Sequence, residues 1–317
     1  MSEPQQKNQS VQQVRVEPGY EGQRIDNFLL NLLKGVPRSY IYRILRRGEV
    51  RVNKGRKKAS YRLKEGDLVR VPPVRMAEKT APTGVGRKQL EILEQSILYQ
   101  DKRLLVLNKP SGMAVHGGSG LSFGVIEALR QLKSEDRELE LVHRLDRDTS
   151  GCLLITRRRS ALRALHELIR NNSIDKRYIA LVAGKWHRDR VEVNEPLLKN
   201  TVKSGERIVV VDPRGKPSVT RFRVRERFGD YTLVEAQLIT GRTHQIRVHA
   251  AHLGTPILGD TKYGDDAANK AMRKRGLKRL FLHAESLRFS WPEERGEMQF
   301  KAPLEPALVK LLSDLKR

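Results

Sequence analysis

The chain has a single cysteine, Cys152, among 317 residues. An intramolecular disulfide is therefore excluded, and a reducing cytoplasm fits. No apolar stretch approaches the ~20 residues needed to span a bilayer. The opening "MSEPQQKNQSVQQ" lacks the hydrophobic core of a secretory signal, so neither insertion nor export is expected. Neither GxGxxG nor a Walker loop is present, which leaves no sequence sign of a nucleotide cofactor. Kinase logic fails as well, because the Gly-rich loop and the DFG triplet are missing. Acidic residues are scarce: 37 Asp and Glu stand against 62 Lys and Arg, a formal charge of +25. An excess of that size favours a polyanionic partner, nucleic acid before a membrane face.

The length calls for one substantial domain and a smaller one. Residues 1–20 are polar and Gln-rich and read as a flexible tail. In residues 21–75, Ile25, Phe28, Leu29, Leu32 and Leu33 repeat at helical spacing. A second helix runs from Ser39, as N-cap, to Arg47, with Gly48 closing it. Short strands follow around "NKG" and "EGD". Between Gly22 and Val71 there are 14 Lys or Arg and 4 Asp or Glu. Arg43, Arg46 and Arg47 share one side of the second helix, opposite Ile41, Ile44 and Leu45. With Arg56, Lys57 and Lys58 in the loop beyond, they make a phosphate-binding surface, although a basic helix face is often only solvated charge. Residues 76–92 mix prolines, glycines and charges and read as a linker.

From residue 93 to 317, strand and helix signals alternate irregularly. "ILYQDKRLLVLNKP" reads as two strands, "VIEALRQL" and "ALRALHELIR" as helices, and "CLLITR", "RYIALVAG", "RIVVV", "VTRFRVRERF" and "YTLVEAQLI" as strands. Neighbouring strands without helices between them imply antiparallel pairing, so the class is α+β and not a doubly wound nucleotide fold.

"HRLDRDTSG" (143–151) places two aspartates in a polar loop just before the apolar run "CLLI". A carboxylate at that junction projects from the end of a rigid sheet, although charged loops are commonly solvated surface. His244, His249 and His252 fall on one helix, but no Cys or carboxylate at ligand spacing completes a shell, so no metal site is expected. The basic runs at 157–160 and 270–279 either extend a nucleic-acid path or are solvated charge.

Two resemblances sharpen this reading. "RIDNFLLNLL…VPRSYIYRILRRGEVRVNKGRKKASYRLKEGDLVRV" resembles an S4 domain, a small RNA-binding module, which implies RNA as the partner. "RLDRDTSG", "LNKPSGMAVHGG", "KRYIALV" and "GRTHQIRVHAAHLGTPILGD" together resemble the pseudouridine synthases of the RluA type. The resemblance implies a mixed, largely antiparallel sheet with flanking helices and a central cleft, preceded by the small α/β S4-like domain. It implies an isomerase that converts uridine to pseudouridine in large-subunit (23S) ribosomal RNA, with no metal or other cofactor.

By the same resemblance Asp146 is the catalytic aspartate and Asp148 a structural residue of the loop. Arg247 pairs with Asp146. Tyr178 stacks on the target base and assists in removing the C5 proton. Arg144 fills the gap in the RNA stack once the nucleotide is extruded. Lys109 and Pro110 shape a loop by the cleft, where Pro fixes φ and Gly112 permits a tight bend. The expected partner is ribosomal RNA or an assembly intermediate, met by a monomer in the cytoplasm. Two rivals stand beside this reading. One is a noncatalytic RNA-binding or assembly factor, against which a carboxylate in a phosphate-lined cleft counts as a liability. The other is a nuclease or RNA glycosidase, whose products, unlike an isomer, differ in mass from the substrate.

Overall fold

A computed structural model describes residues 10–33, 36–74, 85–117, 123–136, 138–201, 207–291 and 296–316. The chain divides into two units, Met1–Gly84 and Val85–Arg317. The first holds strand β1 (Gln12–Arg15), helices α1 (Ile25–Leu32) and α2 (Arg38–Arg47), and strands β2 (Arg51–Val52) and β3 (Leu68–Val71), with sheet order β1-β3-β2. Its core is Phe28, Leu29, Ile41, Ile44, Val52 and Val69, with the cationic side of α2 left outside. Helix α2 is capped two residues earlier than expected, at Pro37, and without a side-chain cap from Ser39. Gly48 closes it in the left-handed conformation, φ 70°, which glycine adopts without a Cβ clash. Part of the stretch read as a tail is structured: Gln12–Arg15 pairs antiparallel with β3. A polar segment can add to a sheet edge through backbone hydrogen bonds alone. Residues 1–9 of that stretch lie outside the described residues.

The second unit opens with α3 (Arg87–Gln95), which occupies the last positions of the stretch read as a linker. Leu93 is fully buried and Leu90 packs beside it. Residues 76–84 of the linker reading lie outside the described residues, as does residue 75 before them. Then follow β4 (Ile97–Gln100), β5 (Leu104–Lys109), α4 (Val125–Leu132), β6 (Glu140–Leu141), β7 (Ser150–Thr156), α5 (Arg159–Arg170), β8 (Asp175–Ala183), β9 (Arg190–Asn194), β10 (Leu197–Thr201) and β11 (Arg207–Val211). The unit ends with β12 (Val219–Phe228), β13 (Tyr231–Leu238), α6 (Gln245–His252), α7 (Asp266–Lys274), β14 (Leu282–Ser290), β15 (Glu297–Lys301) and α8 (Pro306–Leu315).

The main sheet runs β4-β5-β7-β14-β8-β13-β12-β9, with β15 added to β14 and β6 to β7, while β10 and β11 form a separate hairpin. It is the expected mixed, largely antiparallel sheet: of its pairings among the described residues only β7 with β14 is parallel. That junction lies mid-sheet, directly after the loop "HRLDRDT". All seven residues of β7 are buried, as a strand covered on both faces requires. Leu153 and Ile155 pack toward α4 and Leu129, and Cys152 and Leu154 toward α5 and Leu165.

Gly151 makes the parallel junction possible. Its φ is +108°, and a Cβ there would lie 2.2 Å from the carbonyl oxygen of Ala284 on β14. Gly151→Ala is therefore expected to lose on the order of 3 kcal/mol of stability, from backbone strain and forced strand separation together. Denaturant unfolding checks this, and a change under about 0.5 kcal/mol, the ordinary range for surface substitutions, would contradict it.

Candidate active site

The loop between β6 and β7 is held by the loop after β5. Lys109, with no exposed surface, sends its Nζ to the carbonyl oxygens of Pro110 (2.8 Å), Met113 (2.8 Å) and Arg147 (3.0 Å). Three acceptors match the three protons of an ammonium. Burial, then the charge of Arg279, lowers its pKa to about 7. Ser111 Oγ donates to the carbonyl of Asp148, and Gly112 N to that of Arg147. Asp148 thus ties the loop through its backbone while its side chain stays exposed. The "NKPSG" segment shapes this loop, as expected, and Gly112 bends with φ +83°.

So held, the loop turns Asp146 into a cleft of about 450 Å³, where its carboxylate keeps 18% exposure. Tyr178 and Arg247 line the same cleft, so the structure brings the three residues together from widely separated positions. Arg144, two residues before Asp146, is exposed and also lines it. The preceding His143 accepts a hydrogen bond at Nε2 from the N–H of Leu154. Burial, then the charge of Lys176, lowers its pKa to about 4, so it stays neutral near pH 7.

Arg247 owes its place to α6. Gln245 and His249, one helical turn apart, dock that helix: Gln245 Nε2 donates to Val219 O and Thr220 Oγ1, and His249 bonds Thr220 Oγ1 and Glu195 O. At 100° per residue, Arg247 leaves from the opposite side. Its Nη1 lies 3.6 Å from Asp146 Oδ2, an ion pair without a hydrogen bond. Its shorter bonds run to Asp260, Nε to Oδ2 at 2.7 Å and Nη2 to Oδ1 at 2.8 Å. Asp260 also accepts the N–H groups of Lys262 and Tyr263. Burial works to raise the Asp260 pKa, but the bonds and charge of Arg247 and these backbone bonds outweigh it and hold the pKa below the usual value. Arg247 is therefore a buried cation between two carboxylates, fixed by the second.

Sequence pattern does not single out Asp260, although it closes the stretch "GRTHQIRVHAAHLGTPILGD". Nor does it give a site role to His244, whose Nε2 lies 3.9 Å from Asp146 Oδ2 and whose Nδ1 meets the Tyr263 hydroxyl at 2.8 Å. His244 precedes α6 in the left-handed conformation, φ 55°. The three histidines of this segment thus differ in setting, His244 at the cleft, His249 docked on Thr220 and His252 exposed.

Tyr178 stands on β8 with only 6% of its surface exposed. Burial first, and then the charge of Asp146, raises its pKa, so the phenol stays protonated. A neutral phenol is a weak proton acceptor, whereas its ring remains a surface on which a base can lie.

Some arginines of the basic runs have specific partners, while most of the other cations there are exposed. Arg157 pairs with Asp136 at 2.7 Å, and Arg279 with Glu305, Ser150 Oγ and the carbonyl of Leu282. These arginines of "RRRS" and "KAMRKRGLKR" hold structure together. In the first unit, Arg46, Arg56, Lys57 and Lys58 line one groove of about 420 Å³ with Tyr42. Arg43 instead lies 4.4 Å over the Tyr40 ring, and Arg47 lies 3.9 Å from Glu49, so neither faces that groove.

Comparison with known proteins gives the same direction. A family model described as RNA pseudouridylate synthase matches residues 103–252, and one described as S4 domain matches residues 23–69. A protein of Pasteurella multocida (strain Pm70) named ribosomal large subunit pseudouridine synthase C is 56% identical over 310 residues, covering 98% of this chain and 95% of that protein. The protein of that name from Escherichia coli (strain K12) is 54% identical over 310 residues, 97% of each chain. Among solved structures, human RNA pseudouridylate synthase domain containing 4 aligns with a TM-score of 0.60 at 28% identity, covering 72% of this chain and 96% of that one.

Proposed function

The chain belongs to the RNA pseudouridylate synthase family, with an S4 domain before the catalytic part, and from that membership we propose how it works. It is an isomerase that converts specific uridines of large-subunit ribosomal RNA to pseudouridine. The observation that carries the mechanism is the Asp146 carboxylate in the cleft, beside Tyr178 and 3.6 Å from Arg247.

The reaction breaks the bond between C1′ and N1, turns the uracil and joins it to C1′ through C5. The C5 proton leaves and N1 gains one, so mass is unchanged. Breaking the first bond builds positive charge on the sugar, which a fixed carboxylate at C1′ stabilises or traps by attack; alternatively it removes a nearby sugar proton. Arg247 faces the Asp146 carboxylate with a fixed guanidinium and orients it. Tyr178 offers its ring to the base, a role its neutral phenol suits better than proton removal. Arg144, at the rim, fills the stack vacated by the extruded nucleotide. Asp146, Tyr178 and Arg247 all come from one chain, so a monomer suffices. The partner places the enzyme where ribosomes are built, in the cytoplasm, and among the described residues no helix is long and apolar enough to cross a membrane.

Pseudouridine mapping in large-subunit RNA from cells lacking the protein tests the reading. Particular uridines should stay unmodified and be restored by the wild-type gene, and an unchanged map would overturn it. Unchanged RNA mass in vitro separates isomerisation from cleavage or base loss.

The S4 groove adds affinity. The double variant Arg46→Glu, Lys57→Glu should bind RNA with a salt slope lower by roughly 0.7–0.9 for each phosphate left without its cation. The rate at saturating RNA should be unchanged. An unaltered slope would remove these residues from the RNA path.

A further inference from the structure

Lys176 has no part in the mechanism so far. It stands on β8 two residues before Tyr178, on the same face of the strand, and both line the cleft. Nine-tenths of the residue is buried. Among the described residues no carboxylate or carbonyl accepts a hydrogen bond or forms an ion pair at its Nζ. Lys109, fully buried, has three carbonyl partners.

Neighbouring Asp175 does not neutralise it, because alternation along the strand turns that carboxylate to the other face, where it meets Arg177, Gln237 and Arg288. Leu287 stands opposite Lys176 on β14 and, with Val142, Ile169 and Ile174, gives the same cleft apolar surface, and His143 is neutral. Burial correspondingly lowers the lysine's pKa. A buried cation without a partner destabilises a fold. Its position makes sense once a ligand supplies the missing acceptor.

A backbone phosphate fits poorly beside Lys176. A diester reaching it would have to draw both flanking nucleotides past apolar walls, and phosphates have Arg144, Arg170 and Arg242 at the exposed rim of the same cleft. A flat base fits well. The Cα atoms of residues two apart on a strand are about 6.6 Å apart, so a pyrimidine against the Tyr178 ring brings its carbonyl edge to the ammonium.

We propose that Lys176 is a further catalytic residue, whose ammonium binds a carbonyl oxygen, O2 or O4, of the target uracil and holds the charge of the detached base. This rests on the reading of the Asp146 site given above. When C1′–N1 breaks, the electron pair goes into the uracil, and the resulting anion spreads its charge over O2 and O4. Asp146 then faces the cationic sugar and Lys176 the anionic base, so each charge formed in the step meets its opposite. The ammonium strengthens its hold as the charge develops. If the bond is to O4, it also disfavours cytidine, which carries an amino group there, since an ammonium has only donors.

The test uses an RNA fragment with the mapped target uridine, or with 2-thiouridine or 4-thiouridine at that position, in single-turnover reactions. On uridine, Lys176→Met should be slower by about 10²- to 10³-fold, as for loss of one charge-stabilising donor. Sulfur in place of the bound oxygen should slow the wild type on the order of tenfold and leave Lys176→Met unaffected, because the ammonium is already gone. Met keeps the stem and removes the buried charge, so the variant should melt at or above the wild-type temperature. A second variant, Lys176→Gln, should repeat the pattern more weakly. Equal wild-type to variant ratios on all three RNAs, or a Lys176→Met rate on uridine near that of wild type, would overturn the proposal. A wild-type enzyme that forms no pseudouridine would instead overturn the reading on which it rests.

Discussion

Asp146→Asn is expected to lower the single-turnover rate of pseudouridine formation on the order of 10⁴-fold or more, as when one member of a catalytic unit is removed. Asparagine keeps the shape of the side chain and removes the charge. It can neither stabilise a cationic C1′ nor attack it. The fold should hold, because the remaining charge on Arg247 still has its bidentate partner in Asp260. RNA affinity should be unchanged or slightly higher, since a negative charge has left a cleft that receives a polyanion. Three measurements separate chemistry from structure: the single-turnover rate, the Kd for RNA and the melting temperature. Asp148→Asn serves as the control. That side chain is exposed and the residue ties the loop through its backbone carbonyl, so a rate within about threefold of wild type is expected, the scale of a neutral surface change. An Asp146→Asn enzyme within tenfold of wild type would remove the carboxylate from the reaction.

Much of this site was legible because its residues fall in the stretches that resemble the family; local pattern alone offered two aspartates and did not choose between them. Asp146 stands at a junction where polar loop changes to buried strand, Tyr178 alternates inward on a strand, and Arg247 falls within a motif. The partners that position them were harder to see. Asp260 meets Arg247 only because the chain after α6 doubles back, and nothing in residue spacing encodes that return. Lys176 left a readable sign, since strand alternation puts it on the face of Tyr178, but its lack of a partner is a property of three dimensions. The charge runs left two readings open, and two of their arginines fit neither: Arg157 and Arg279 turn inward and are tied to Asp136 and Glu305. The fold class followed from strands lacking helices between them. The short elements Gln12–Arg15 and Arg87–Gln95 did not, because an edge strand needs only backbone pairing and a helix with one fully buried leucine carries little periodicity.

Asp260→Asn should be the most damaging substitution outside the reacting atoms. It leaves the Arg247 guanidinium buried without its bidentate partner, and breaking such a pair from one side costs on the order of 3–5 kcal/mol. The released arginine has one carboxylate left, Asp146 at 3.6 Å. Closing on it would pull the catalytic group off its line to C1′, and a misplacement near 1 Å costs about 10²-fold in rate. The pH dependence follows from the direction of the shift. The folded-state pKa of Asp260 lies below the ordinary 3.8. Its contribution is therefore complete above that value and is lost as pH falls through the lower folded value; Asp260→Asn should lack this part of the acid transition. The decisive comparison is the double variant. Arg247→Met with Asp260→Asn removes the orphaned charge along with its partner, so it should be more stable than Asp260→Asn alone and still inactive. Additive losses in stability would mean that the two residues act separately, and Arg247 would then owe its orientation to something other than Asp260.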